Sequence, residues 1–379
     1  MRPAYTLIFS FCLWLGAHAQ DLQLRTLMGM PASQWETYYN QHKNELPDST
    51  IDRWRTEAIT LYNTEKFKEA HQVAEICIRF AALNNNLGLR GSSKLVQAEI
   101  YFAQEEYTQA LASATDAGED LKKAGNQYQL ARSKNRVGVS YQALNEADEA
   151  FRAFEESIAL KRQLLKEDPS NEVYISSIYG SLEAYGNALY QFEKYKEAVP
   201  VYQEAIRYAQ INKNGSGEGA MNYNLGLVNY MIDDAKASRH HFQKSAEVYL
   251  AAADTANAVN SYRQILYRQE FLQVGDGYAD LIEKAFELGN RMSDKTQVLR
   301  LVETCLQPFK RTEEYSSMLY FYNKKLLIFG TNYPDSSYNT YIKIGDVYEK
   351  QKKYDDAIAL YESMLEALKG SSALDKQSN

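Results

Sequence analysis

A short pattern, an aromatic residue with alanine three positions later, recurs along this chain at a nearly constant interval. Four segments carry it intact: Phe67–Ala70, Tyr107–Ala110, Tyr195–Ala198 and Tyr354–Ala357. Weaker copies at 147–150 and 235–238 place the fourth position of the pattern at 70, 110, 150, 198 and 238. Steps of 40, 40, 48 and 40 residues indicate an internal repeat. A repeat chain buries its core by stacking each unit on the next.

Each repeat predicts two antiparallel helices. A small residue stands nine positions before each copy of the pattern, where it would let two helix backbones approach closely. These residues are Ala58, Ala98, Gly138, Gly186, Gly226 and Gly345. Large residues fall between them at helical spacing, and no long stretch alternates with period two, which argues against strands. Residues 166–171 predict a turn-forming insertion that accounts for the one long step.

The pattern resembles the tetratricopeptide repeat family. Matches to its motif are Tyr341, Ile344, Gly345, Tyr348, Tyr354, Ala357 and Tyr361, and then Leu225, Gly226 and Phe242, and Val137, Gly138, Tyr141, Ala150 and Phe154. The step near 40 residues resembles the longer-helix variety found in bacterial regulators and kinesin light chains. The resemblance implies an all-α fold, an α-solenoid with a right-handed superhelix of about seven to eight antiparallel helix pairs.

The N-terminus predicts a secretory signal peptide over residues 1–19. Arg2 precedes an apolar run over 5–16 that is too short to span a bilayer, and Ala17-His18-Ala19 suits signal peptidase. Cleavage would start the mature chain at Gln20, and an uncleaved short anchor is the alternative. We therefore expect export to the periplasm or secretion. Beyond the leader we predict an N-terminal capping helix region over 20–50, a repeat array over 51–366 and a polar tail over 367–379.

Charge and cysteine content narrow the class of partner. The chain carries 42 basic and 49 acidic residues, a net charge of −7, without a basic block, so we expect no nucleic-acid partner. No later stretch approaches 18 apolar residues, so we predict no membrane span after signal cleavage. Cys77 and Cys305 would be the only thiols of the mature chain. We predict that they are buried and unpaired.

The resemblance implies that the first helix of each pair lines a concave groove. One recurrent position on these helices holds Tyr62, Phe102, Gln142, Tyr190 and Tyr230, and nearby positions hold Arg55, Arg132, Asn135, Asn187, Tyr223 and Asn224. Tyrosine offers broad contact area, while asparagine and arginine can bond to a peptide backbone or a carboxylate. We interpret the set as a peptide-binding groove. The alternative is that the rings pack against the next repeat and only close the stack.

Catalysis has little support in the sequence. His240 and His241 are helical neighbours that point in different directions, and no histidine pair has the HExxH context. We therefore expect no enzyme activity, no cofactor and no metal site. The sequence predicts an exported scaffold that binds a protein or peptide partner in its groove. The alternative is an extracytoplasmic sensor or regulatory component of a bacterial signalling system, acting in trans or truncated before its membrane span.

Overall fold

The computed structural model describes residues 22–268, 284–285, 287–288, 295–329 and 334–375. The predicted signal peptide lies outside these residues. The helices are α1 over 22–28, α2 Trp35–His42, α3 Asp48–Asn63, α4 Phe67–Leu83, α5 Leu87–Ala103, α6 Tyr107–Lys123, α7 Gln127–Ala143, α8 Ala147–Glu167, α9 Glu172–Gln191, α10 Tyr195–Ile211, α11 Gly215–Met231, α12 Ala235–Ala251, α13 Thr255–Tyr267, α14 Lys295–Thr312, α15 Tyr315–Phe329, α16 Pro334–Lys350 and α17 Tyr354–Asp375. Short 3₁₀ turns at Ala32–Gln34 and Lys43–Glu45 flank α2.

The chain divides into two compact units, which we describe separately. Unit 1 is Met1–Tyr208 and unit 2 is Ala209–Asn379. In unit 1, α3 packs on α4, α5 on α6 and α7 on α8, and each of these second helices also packs on the next first helix. In unit 2, the same relation joins α11 to α12, α14 to α15 and α16 to α17. The all-α helical-repeat class predicted from the sequence is therefore confirmed.

Turns of one geometry connect most of the helices. In the turn over 64–66, the Lys66 N–H donates to the Leu61 carbonyl at 2.9 Å and the Glu65 N–H donates to the Tyr62 carbonyl at 3.0 Å. Glu65 has a φ of 60°, so the turn is a Schellman ending. Two 17-residue helices and two three-residue turns of this kind account for the 40-residue step.

Side-chain caps mark the start of most first helices. Asn86, Asn126, Asn214 and Asp254 each accept a hydrogen bond from the backbone N–H three residues later, at the start of α5, α7, α11 and α13. Such a bond satisfies a donor that the helix itself leaves unpaired. The turn after a second helix is therefore fixed from both sides.

Glycines of the repeat meet large rings of the second helix, whereas the sequence analysis expected small residues there to let two helix backbones approach closely. A Cβ atom built on Gly138 would lie 2.9 Å from the Phe154 ring, and one on Gly226 would lie 2.6 Å from the Phe242 ring. Each ring comes from the second helix, sixteen residues later in the chain, and both are fully buried. The absent side chain is therefore what gives the ring its place between the two helices.

The long repeat step corrects one sequence prediction. Residues 166–171 do not form only a turn, because α8 extends to Glu167 with 21 residues and α9 has 20 residues. The turn itself is 168–171, where Asn171 caps α9. Much of the insertion is thus absorbed as extra helix length on both sides of the turn.

Both predicted thiols are buried. Cys77 and Cys305 are free and have no exposed surface, and burial raises the pKa of each thiol far above its ordinary value.

Across the described part of the chain, no helix is long and apolar enough to cross a bilayer.

Candidate functional site

The first helices of unit 1 lie side by side. α3 contacts α5, α5 contacts α7 and α7 contacts α9, in addition to the contacts within each helix pair. Their outward side chains therefore form one surface, which we call the first-helix face. The face carries seven of the predicted groove residues: Arg55, Tyr62, Phe102, Arg132, Asn135, Asn187 and Tyr190. The other three, Tyr223, Asn224 and Tyr230, lie on α11 in unit 2.

The recurrent aromatic position packs within its own helix pair. The ring centroids of Tyr62 and Phe67 are 6.2 Å apart, those of Phe102 and Tyr107 are 5.1 Å apart, and those of Tyr190 and Tyr195 are 5.5 Å apart. In each pair the partner is the first residue of the second helix, because a three-residue turn brings these two positions together. The rings close the turn end of each pair and are half-buried there. They leave only part of their area for a partner.

Gln142 holds the recurrent position where the aromatic residue is missing. Its Nε2 donates to Oε1 of Gln191 at 2.9 Å, and Gln191 ends α9. This hydrogen bond ties α7 to α9 along the first-helix face. The position thus joins neighbouring repeats here, whereas the tyrosines close single ones.

Arg136 is a residue of the face that the sequence analysis missed. Its guanidinium lies 4.7 Å from the centroid of the Phe102 ring and forms an ion pair with Glu99. Both partners are on α5, so the contact joins two first helices. Burial lowers the pKa of Arg136. Its position one turn after Arg132 could have predicted that Arg136 lies on this face, but only the packing of α5 on α7 shows which residues it contacts.

Asn135 is held by a buried hydrogen-bond chain. The Ser181 hydroxyl donates to Asn135 Oδ1 at 2.6 Å, and Lys161 Nζ donates to Ser181 Oγ and to the Ser177 carbonyl. With Oδ1 occupied from α9, the Asn135 amide nitrogen is the remaining donor group of this side chain. The chain therefore fixes the orientation of a groove candidate from beneath the surface.

Lys161 lies in the core without a carboxylate partner among the described residues. Its side chain is 3% exposed, and burial, together with the nearby charge of Arg132, lowers its pKa to about 7. Arg132 itself donates to Gln129 Oε1 at 3.2 Å. Arg132 and Lys161 thus place two basic groups close together in this part of unit 1.

The remaining unit 1 candidates are held less tightly. Arg55 pairs with Asp52 one turn earlier, at 2.8 Å. Asn187 is exposed and accepts a hydrogen bond from the Tyr202 hydroxyl at 2.9 Å. Burial raises the pKa of nearby Glu183 on the same helix. Arg55 is thus already neutralised, and Asn187 is bonded to the second helix of its own pair.

Two of the three unit 2 candidates contact residues at the C-terminal end of α13. Gln264 Nε2 donates to the Tyr223 hydroxyl at 2.7 Å, and the Arg268 guanidinium lies 4.2 Å from the Tyr230 ring centroid. Arg268 also lies 5.0 Å from the Phe242 ring. For Tyr223 and Tyr230, packing against the neighbouring repeat is therefore observed, as the alternative interpretation proposed.

The histidines sit in ordinary structural contacts. His241 Nδ1 lies 3.2 Å from Asn222 Oδ1, and burial lowers its pKa, as does His240 beside it. His71 packs edge-on against Tyr101 with ring centroids 4.9 Å apart. The described residues contain no group of three or more histidine, cysteine or acidic side chains placed to hold a metal ion.

Comparison with known proteins identifies the class of repeat. Residues 130–171 and 340–373 each match a family model described as tetratricopeptide repeat. The first match covers most of α7 and all of α8, and the second covers most of α16 and of α17. The chain therefore contains tetratricopeptide repeats at these two places. The search of curated protein sequences gives no match.

Two solved structures share the fold at low sequence identity. The apo form of RapI has a TM-score of 0.52 at 11% identity, over 85% of this chain and 98% of RapI. A signal transduction ATPase with numerous domains from Pyrococcus horikoshii, PH0952, has a TM-score of 0.51 at 11% identity. That similarity covers 95% of this chain but 54% of PH0952, so the chain spans about half the length of that protein. Both likenesses concern the fold alone.

Proposed function

We propose that this chain is an exported helical-repeat scaffold that binds a protein or peptide partner along the first-helix face of unit 1. The observation that carries the proposal is the fixed polar cluster of Arg132 and Asn135 above buried Lys161. Binding groups that are oriented before the partner arrives lose less entropy when it binds.

The chemistry of the cluster indicates the kind of group it receives. An arginine and an oriented amide nitrogen are donors, and they suit backbone carbonyl or carboxylate oxygens of an extended segment. The half-buried rings of Phe102 and Tyr190 would then contact apolar side chains of the partner at either side. Export rests on the predicted signal peptide over 1–19.

Charge reversal at Arg132 tests the binding proposal. We expect the purified wild-type chain to capture one protein from envelope extracts that Arg132→Glu does not capture, with identification by mass spectrometry. Arg132→Glu replaces a positive charge near Lys161 with a carboxylate, which favours the charged form of that lysine. The substitution should therefore not weaken the fold, and misfolding would not explain the loss of capture. Lys134→Glu is the matched control, since Lys134 is on the same helix and pairs with Glu156 of α8. Equal capture by all three chains would contradict the proposal.

The same experiment separates scaffold from sensor. PH0952 is described as having a tetratricopeptide repeat sensor. If the captured partner is a membrane receptor or kinase, the chain acts in trans in signalling, whereas another exported protein indicates a scaffold. Mass measurement of the exported chain tests cleavage before Gln20.

A further inference from the structure

A second candidate surface lies in unit 2, between α13 and α14. A cavity of about 520 Å³ opens there, lined by Arg263, Gln264, Tyr267, Arg300, Glu303 and Thr304. The two helices pack against each other directly, so the cavity lies along their seam. None of its lining residues belongs to the groove set predicted from the sequence.

Two arginines give the described lining of the cavity a positive charge. Arg263 donates to Asn260 Oδ1 at 2.6 Å, and Arg300 is exposed; neither has a carboxylate partner among the described residues. Glu303 is the acid in the lining. Burial would raise its pKa, but bonds and charges from Lys325 at 2.9 Å and Lys310 at 3.5 Å lower it overall. The carboxylate of Glu303 is thus neutralised by lysines and is not available to the arginines.

Among the lining residues, Gln264 is held rigidly by hydrogen bonds and Tyr267 exposes its aromatic ring. Gln264 bonds to the Tyr223 hydroxyl through Nε2 and accepts from Arg268 through Oε1, so its side chain is held on both sides. Tyr267, the last residue of α13, is 62% exposed. Tyrosine and arginine are, with tryptophan, the residue types enriched among those that carry most of the binding energy in protein interfaces.

We propose that this cavity binds an acidic peptide segment of a partner protein. Carboxylates of the segment pair with Arg263 and Arg300, and an adjoining apolar group packs on the Tyr267 ring. The charge decides the occupant, because two arginines that have no carboxylate partner among the described residues attract an acidic segment and repel a basic one. The surface lies in unit 2, so it does not depend on the first-helix face of unit 1.

Fluorescence anisotropy with labelled hexaglutamate tests the proposal on the full chain, with hexaglutamine as the uncharged control. We expect hexaglutamate to bind more tightly and to weaken as salt rises from about 50 to about 500 mM. Arg263→Gln with Arg300→Gln should weaken its binding about 10-fold or more, and Tyr267→Ala by about 3-fold or more. Lys236→Gln with Lys244→Gln removes the same charge from exposed positions on α12 and should leave binding unchanged.

A reversed-charge variant guards against loss through misfolding. Arg263→Glu with Arg300→Glu should bind hexalysine in place of hexaglutamate, a gain that an unfolded site would not give. The proposal is overturned if hexaglutamate binds no better than hexaglutamine. It is also overturned if the arginine variants bind hexaglutamate as tightly as the α12 control. Neither result bears on the Arg132→Glu experiment, so the two surfaces are tested separately.

Discussion

At the scale of single residues, the repeat depends on matched sizes across each helix pair. Gly186 faces the ring of Tyr202 and Gly226 faces Phe242, and in the first repeat the same sixteen-residue spacing separates Ala58 and Ala74, which are both fully buried. The glycines are recognisable in the sequence because they recur in register. Their partners are also predictable, since the second helix always starts at the same distance. Lys161, in contrast, has no repeat signal, because its burial depends on how α8 packs on α9.

Adding one methyl group at Gly186 should destabilise the chain. Its Cβ would lie 2.5 Å from the Tyr202 ring, which neighbours hold in place, so we expect Gly186→Ala to lower the free energy of unfolding by about 1–3 kcal/mol. Gly180 is on the same helix and has no atom within 4 Å of a built Cβ. Gly180→Ala should therefore be neutral or stabilising by up to about 1 kcal/mol. Urea unfolding of both variants measures the difference; equal losses would contradict the close-contact explanation.

Lys161 should make stability depend on pH. Its pKa is about 7 in the folded chain against 10.5 as an ordinary lysine, so between these values the unfolded chain binds more protons. Stability from this group therefore rises with pH across that window and is lowest at and below pH 7.

Lys161→Met should raise the unfolding temperature at pH 7 and reduce this pH dependence. The measurement is the difference between variant and wild-type stability from pH 6 to pH 10. Lys166→Met, an exposed position on the same helix, is the control and should change little. If the stability difference between Lys161→Met and wild type does not shrink as pH rises, the buried charge of Lys161 does not destabilise the fold.

At the scale of elements, the fold is set by helix length and by one kind of turn. Helix starts were predictable to the residue for the second helices, because the aromatic or alanine of the pattern begins α4, α6, α8, α10, α12 and α17. The first helices also had a signal, the capping Asn or Asp at 86, 126, 214 and 254, which the sequence analysis did not use. The insertion at 166–171 was predicted as a turn alone. It lengthens two helices because Lys166 and Glu167 continue the helical pattern of α8.

Glycine at one left-handed turn position should stabilise the fold. Ala253 has a φ of 59°, a left-handed conformation that strains any residue with a Cβ atom. Ala253→Gly should therefore raise the free energy of unfolding by about 1 kcal/mol. Ala252, its neighbour, has a φ of −86°, so Ala252→Gly should be neutral or destabilising. Thermal unfolding of the two variants checks the sign, and stabilisation by both would point away from the φ argument.

At the scale of the whole molecule, the number of reactive thiols tests both the burial of Cys77 and Cys305 and the predicted removal of residues 1–19. Cys77 and Cys305 are fully buried with raised pKa values, so a chain that starts at Gln20 should show no reactive thiol until it unfolds, and then two. A chain that keeps residues 1–19 should show one more, from Cys12. Titration with a thiol reagent, with and without denaturant, makes the measurement. A native mature chain that reacts at once would contradict the burial of both thiols.

The sequence by itself determined the architecture: small residues and rings recur about every 40 residues, and local spacing is enough to specify helices, turns and the faces that pack. It also supplied residues of the first-helix face, because their register follows from the repeat. Only the tertiary structure decided which of these side chains are already occupied. Tyr62 and Tyr190 close their own turns, Arg136 pairs across repeats, and Arg263 and Arg300 line one cavity. The Arg136 ion pair and the cavity arginines each bring together residues 37 positions apart through helix packing, and burial and electrostatics there depend on neighbours that no local pattern contains.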